Sequence, residues 1–152
     1  MQYNAIVKNV KEITPEIKLF FINFKDGHKF DFKAGQFAVL ALPDDKQNLD
    51  GEWHRRAYSI TSAPSQDEVE FYIVLVKEGK LTPRLFELKA GDEIYMGEKP
   101  AGLMNFSGVE EDANLLFVST GTGIAPFVSI LREHKQEILN GKRQVALIHG
   151  AR

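Results

Sequence analysis

The sequence contains no cysteine. That excludes a disulfide framework and any cysteine-ligated iron–sulfur cluster built by this chain alone, and it is compatible with a cytoplasmic address. No apolar run approaches the length needed to span a bilayer. Residues 1–10 mix polar and apolar side chains without the sustained apolar stretch of a secretion signal, so no membrane association is expected. Internal repeats and low-complexity tracts are absent as well. Neither sign of charge dominates: 19 Lys and Arg stand against 21 Asp and Glu, for a formal net charge of −2. There is thus no general field to draw the chain to nucleic acid, and any anion site must be local. His28, His54 and His134 are not spaced as metal ligands and read as surface side chains. What is present, 43% apolar and 26% charged residues over 152 positions, is an ordinary globular composition. The length suffices for one complete domain and part of a second.

The first two-thirds of the chain reads as short strands separated by turn residues. Strands are predicted at residues 3–10, 16–24, 36–42, 55–61, 68–76 and 93–97, with Asp26-Gly27, Pro43-Asp44 and Gly91-Asp92 as turn signals. In the fifth, alternation puts Val69, Phe71, Ile73 and Leu75 on one face and Glu70, Tyr72, Val74 and Val76 on the other. Six strands at this spacing predict a small closed antiparallel barrel. One short helix interrupts it, with Thr82 as N-cap and Pro83 as the first helical residue. The character changes near residues 109–113. The apolar run Leu115, Leu116, Phe117 and Val118 reads as a buried parallel strand. A helix over 125–140 follows, with Phe127, Ile130, Leu131 and Ile138 at helical spacing and Gly141 as its stop, then a second strand at 144–149. Strand, helix, strand is a βαβ unit. The expected fold is an all-β antiparallel six-stranded barrel over residues 1–108, followed by a partial α/β nucleotide-binding domain over residues 109–152. Two strands and one helix cannot cover their own apolar faces, whereas doubly wound sheets have five or six strands. The second unit therefore reads as truncated, or as completed by another chain.

Three segments carry chemistry. In Arg56-Ala57-Tyr58-Ser59 a guanidinium can fork onto phosphate, an aromatic ring can stack on a flat heterocycle, and a hydroxyl can bond a ring nitrogen. Alternation places Arg56 and Tyr58 on one side of the strand and Ala57 and Ser59 on the other. The same tetrapeptide also suits a half-exposed edge strand. In Gly79-Lys80-Leu81-Thr82-Pro83 a glycine permits close backbone approach, and the first N–H groups of a capped helix favour an anion. A plain strand-to-helix turn has the same appearance. Thr120-Gly121-Thr122-Gly123-Ile124-Ala125-Pro126 follows a buried strand and opens a helix, as a nucleotide loop does, although Pro126 stands where a third glycine would be expected. A glycine turn packed on the sheet is the alternative.

Taken in order and spacing, these segments resemble the bacterial ferredoxin/flavodoxin–NADP⁺ reductase family over essentially the whole chain. Phe71 to Val76, Leu88-Lys89-Ala90-Gly91-Asp92-Glu93 and Leu147-Ile148-His149-Gly150-Ala151-Arg152 match further family segments. The resemblance implies that FAD is held by Arg56 at the pyrophosphate and Tyr58 against the isoalloxazine, with Ala57 between them and Ser59 near flavin N5. It further implies Ile73, Val74 and Val76 along the flavin and Gly79, Lys80, Leu81 and Thr82 at the diphosphate. Ser59 and Tyr58 are then the residues at the reacting centre. Thr120, Gly121, Thr122 and Gly123 would accommodate the nicotinamide nucleotide, and Arg152 would meet its phosphates. Independently of the resemblance, the end of the second βαβ strand carries His149 and Arg152 and no acid, which favours NADP(H) over NAD. The implied activity is electron transfer between NADPH, by hydride transfer to flavin, and a ferredoxin or flavodoxin partner. The family's C-terminal portion has no counterpart here. That leaves two other readings open: the FAD module of a larger or multisubunit reductase, and a non-catalytic flavin-binding fragment.

Overall fold

The computed structural model describes residues 1–150, and Arg152 lies outside them. β1 (Ala5–Thr14) and β2 (Ile17–Phe24) form a long antiparallel hairpin. Its inner side is set by alternation: Phe20, Ile22 and Phe24 are buried, with less buried residues between them. The polar end of β1 extends past the expected boundary because β2 supplies partners as far as Thr14↔Ile17, a signal that lies in the pairing and not in β1 itself. Gly27, at φ +78°, makes the turn that closes this segment. β3 (Phe37–Pro43), β4 (Trp53–Ser59), β5 (Val69–Val74) and β6 (Glu93–Met96) complete a sheet ordered β4-β3-β6-β1-β2-β5, every pair antiparallel. Its concave side holds one apolar core, in which Ala5, Phe20, Leu40, Ile60, Phe71 and Ile94 are all 0% exposed. The expected six-stranded antiparallel barrel is therefore found, though its closure is slight. The end strands β4 and β5 meet through a single bridge, Ile60↔Phe71, just past the end of β4.

α1 (Thr82–Phe86) is a single short turn of helix whose Leu85 plugs the barrel. Thr82 is its first helical residue and not its N-cap; Leu81 occupies the cap position without a side-chain hydrogen bond. The Thr82 hydroxyl instead accepts from the Val76 N–H at 2.9 Å and donates to the Val76 carbonyl at 3.0 Å, closing the 76–82 loop on itself.

β7 (Leu115–Thr120) and β8 (Val145–Gly150) are parallel, in register from Leu115↔Val145 to Thr120↔Gly150. Between them run a 3₁₀ turn (Gly121–Ile124), α2 (Ala125–Glu133) and α3 (Lys135–Leu139). The expected βαβ unit is thus present, with two corrections. The single helix expected over 125–140 is kinked at His134, whose ring stacks on Phe106 at 4.3 Å. β7 is buried on only one face: Phe117 packs with Ile130 and Phe127, while Leu116 and Val118 are exposed. With only β8 beside it and helices on one side, a fully apolar strand has one face uncovered.

Candidate functional site

The seam of the barrel is where the site forms. β4 pairs with β3 and β5 pairs with β2, so below the Ile60↔Phe71 bridge the two end strands face each other with no strand between them. Their facing edges line a cleft of about 450 Å³, a size typical of small-molecule sites. Arg56, Ala57, Tyr58 and Ser59 form one wall and Tyr72, Ile73 and Val74 the opposite one. Val76, Gly79, Lys80, Leu81 and Thr82 close one end, and Thr122 and Ala125 reach in from the βαβ unit. Arg56, Tyr58 and the 79–82 turn therefore share one cavity. Arg56, Ala57, Tyr58 and Ser59 all line the cleft, although their side chains alternate along the strand, because the cleft meets β4 at its edge.

Arg56 is exposed and has no carboxylate partner among the described residues; its one recorded hydrogen bond goes to the Arg55 carbonyl. A cation left unpaired at the mouth of an otherwise largely apolar cleft is suited to an anion. Tyr58 packs its ring on the barrel core. Burial pushes its hydroxyl up to about 12, against a smaller opposing pull from Arg56. The phenol therefore stays protonated at physiological pH and can act as a flat platform and donor, not as a base. Ser59 is half-buried and faces the same space. Because the Thr82 hydroxyl proton is committed to Val76, that side chain has only acceptor capacity left, and any anion at this turn would be held by backbone N–H groups and Lys80. A helix of five residues also contributes much less dipole than a long one.

Of Thr120, Gly121, Thr122 and Gly123, Thr122 lines the cleft wall and the other three do not. Thr120 ends β7 opposite Gly150. Gly121 needs to be glycine for its φ of +52°. At Gly123 neither backbone nor crowding demands it, since the nearest atom to an added Cβ is the Ser119 Cβ at 3.8 Å.

The sequence did not single out the residues that fix these walls. Tyr72 and Ala125 line the cleft. Glu70 is buried on β5, and its carboxylate accepts from Arg132 Nη1 of α2 at 2.9 Å; the same nitrogen donates to the Thr61 carbonyl at 3.1 Å. Ser129, fully buried, donates to the Ser62 carbonyl at 2.6 Å and accepts from the Gly35 N–H at 3.4 Å. Gly35 has φ +96°, and a Cβ there would lie 1.9 Å from the Met104 carbonyl oxygen. These contacts seat α2 on the barrel and thereby place Thr122 and Ala125. A Glu inside an apolar strand was the available signal, because a carboxylate seldom goes inside without a partner. His54, expected at the surface, is 7% exposed. Its Nε2 lies 2.9 Å from Asp44 Oδ1, and Arg84 Nη2 donates to that same oxygen at 2.6 Å. Hydrogen bonding from His54, then the charges of Arg84 and Lys80, hold the Asp44 carboxyl below the usual aspartate range.

Known proteins resemble this chain in both of its parts. Residues 4–106 match the oxidoreductase FAD-binding domain family, and residues 117–152 match the oxidoreductase NAD-binding domain family. The flavodoxin/ferredoxin–NADP reductase of Escherichia coli K12 is 40% identical over 121 residues, covering 80% of this chain and 46% of that protein. The ferredoxin–NADP reductase of Azotobacter vinelandii is 39% identical over 121 residues, again 80% of this chain and 44% of the relative. The crystal structure of a ferredoxin NADP⁺ reductase from Neisseria gonorrhoeae with bound FAD and NADP superposes with a TM-score of 0.79 at 30% identity, covering 97% of this chain and 56% of that one. The chain thus spans about half the length of the curated relatives it matches.

Proposed function

The chain belongs to the oxidoreductase FAD-binding domain family, and from that premise we propose that it binds FAD in the barrel seam as part of an oxidoreductase moving electrons between NADP(H) and a one-electron carrier of the ferredoxin or flavodoxin kind. The observation that carries the proposal is the unpaired Arg56 guanidinium in one cleft with the Tyr58 ring and the 79–82 turn. A dinucleotide flavin needs those three things together: a cation, a flat apolar platform and free backbone donors.

In this reading Arg56 and Lys80 neutralise the pyrophosphate, with the N–H groups of residues 80–82 beside them, the Gly79 N–H being given to the Val76 carbonyl at 2.8 Å. Tyr58 supports the isoalloxazine and Ser59 presents its hydroxyl at the reacting edge. Ile73, Val74 and Val76 exclude water along the ring, and Ala57 leaves room beside it. Bound FAD supplies the redox chemistry, taking electrons in pairs and releasing them singly. The nicotinamide side falls to Thr120, Gly121, Thr122 and Gly123; the open space at Gly121 supports a close ligand approach. The assignment of Arg152 to the NADP phosphates, the division of the chain into residues 1–108 and 109–152, and a cytoplasmic address belong to the same proposal.

The purified protein should carry the visible absorbance of oxidised flavin, and anaerobic NADPH should bleach it. Arg56→Ala should lose about 1.5–3 kcal/mol of FAD affinity, the scale of a charge-assisted phosphate contact; unchanged flavin affinity would remove the pyrophosphate from this place. A second reading is favoured by one observation, the exposed Leu116, Val118 and Ile148 on the two-stranded sheet. On that reading the chain is a flavin module whose turnover needs further strands, and bound flavin would remain yellow under NADPH.

A further inference from the structure

Asp44 lies outside the cleft wall, one residue past the end of β3. Its carboxylate oxygen accepts from Arg84 Nη2 at 2.6 Å and sits 2.9 Å from Nε2 of the buried His54. Arg84 belongs to α1, and its other terminal nitrogen donates to the Lys80 carbonyl. His54 belongs to β4, two residues before Arg56. One carboxylate therefore joins the turn carrying Lys80, Leu81 and Thr82 to the strand carrying Arg56. Glu52 stands nearby but holds less: its carboxylate is 3.5 Å from His54 Nδ1 and 3.7 Å from Lys80 Nζ.

Building on the FAD reading of the cleft, we propose that Asp44 is a positioning residue for the diphosphate. It does not line the cavity, yet it sets the separation between Arg56 and the 79–82 turn, the two groups that would grip the phosphates from either side. Simple Coulomb attraction and this clasp have opposite signs. Asp44 and Glu52 are both anions close to an anion site, so removing either charge favours an anionic ligand through the field alone. Removing the clasp instead leaves the turn to be ordered when the ligand binds, which disfavours it.

The test is the rate at which the FAD-loaded chain releases its cofactor on dilution, followed by the rise in flavin fluorescence. The rate counts only molecules that have bound FAD, so a variant that folds poorly loses amplitude and not rate. Asp44→Ala should release FAD about fivefold faster, the scale of one exposed ion pair. Asp44→Asn keeps an acceptor for Arg84 and His54 and should fall between Asp44→Ala and the parent. Glu52→Ala, which removes the same charge without cutting the short contacts, should release FAD no faster than the parent. Release from Asp44→Ala at the parent rate or slower, or equally fast release from Glu52→Ala, would overturn the proposal. A parent chain that takes up no FAD overturns the cofactor reading itself, and the parent alone tells the two failures apart.

Discussion

The two parts of the chain handle the same problem, covering a sheet, in different ways. The barrel curls one sheet around its own core, so Phe20, Ile22, Phe71 and Ile94 are sealed from water by strands of the same segment. The βαβ part has two parallel strands and helices on one face, and only Phe117, Ile130 and barrel-derived Ala34 form its buried cluster. Its outer face leaves Leu116, Val118 and Ile148 in water. What keeps the second part in place is its joint with the first: Ser129, Arg132 and Glu133 on α2 bond to Ser62, Thr61, Glu70 and Ser65 of the barrel. The barrel holds the larger core, and the βαβ unit is held by contacts to its neighbour.

The same substitution made in each part should expose that difference most strongly. Phe71→Ala removes a fully buried ring from a core with no room to collapse, and about 3–5 kcal/mol of unfolding free energy should go with it. Phe117, 8% exposed and stacked on Phe127 at 4.6 Å, sits in a small cluster beside an open face. Phe117→Ala should cost roughly 1–2 kcal/mol, below that range because the site can relax. Urea unfolding of both variants measures this, and equal costs would mean the βαβ part is as well sealed as the barrel.

The joint itself should give the next largest effect. Glu70 is buried and Arg132 is its counter-charge, with the arginine side chain 39% exposed. Breaking a buried pair costs several kcal/mol when a charge is stranded; water reaching the Glu70 carboxylate from the arginine side reduces that here to roughly 1–2 kcal/mol. Arg132→Ala should therefore leave the barrel folded while speeding proteolysis within residues 106–113. Adding Glu70→Gln, which removes the stranded charge, should recover part of the loss. If Arg132→Ala leaves the cleavage rate unchanged, the contacts of Ser129 and Glu133 hold the joint without it.

Much of this organisation was legible in the chain, and the exceptions have a common cause. Alternation in β5 and the turn at Gly27 revealed the barrel, because a strand with one wet face writes its fold locally. In β2 the pattern Ile17, Leu19, Phe21 points to the wrong face, since an apolar residue at nearly every position leaves the buried set, Phe20, Ile22 and Phe24, to the pairing. The segments around Arg56, Lys80 and Thr122 were legible as chemistry before any coordinates. The seam between β4 and β5 was not, since which strands fail to pair is a property of the closed sheet and not of either strand. The same holds for the partner of Glu70, 62 residues distant in sequence, and for the burial of His54, which is decided by a hairpin and a helix folding over it. Thr82 illustrates a local rule losing to a nearby competitor: its hydroxyl suits an N-cap, but the Val76 backbone offered both a donor and an acceptor.

A smaller effect is expected on the open face. Leu116→Thr and Val118→Thr should each change stability by less than about 0.5 kcal/mol, because neither side chain leaves water on folding. The unfolding midpoint at two protein concentrations checks this. A larger loss that grows with concentration would show the face covered by a second copy, and the contrast between the two parts would then belong to the isolated chain only.

The smallest effect is that of acid, and its sign follows from the carboxylates that the fold holds below their ordinary range. In the barrel these are Glu16, by its hydrogen bond to Lys77, Asp26, by hydrogen bonds from His28, and Asp44, first by His54; in the βαβ part Glu137 is lowered first by its hydrogen bond to His134. A carboxylate whose folded value is depressed contributes stability above its unfolded value, about 3.9 for aspartate, and loses it as pH falls through the folded one. Stability from these groups should thus be flat from neutrality down to roughly pH 5 and decline below it. Glu16, Asp26 and Asp44 are exposed and Glu137 half-buried, so the decline should be shallow and should weaken further in salt. Asp44 takes two short contacts, 2.6 Å from Arg84 and 2.9 Å from His54, whereas Glu137 lies 3.1 Å from His134 and 3.7 Å from Arg143. Asp44→Asn should therefore flatten the acid limb of the unfolding curve more than Glu137→Gln does. A larger flattening from Glu137→Gln would move the main acid-sensitive contact from the barrel hairpin to the kink between α2 and α3.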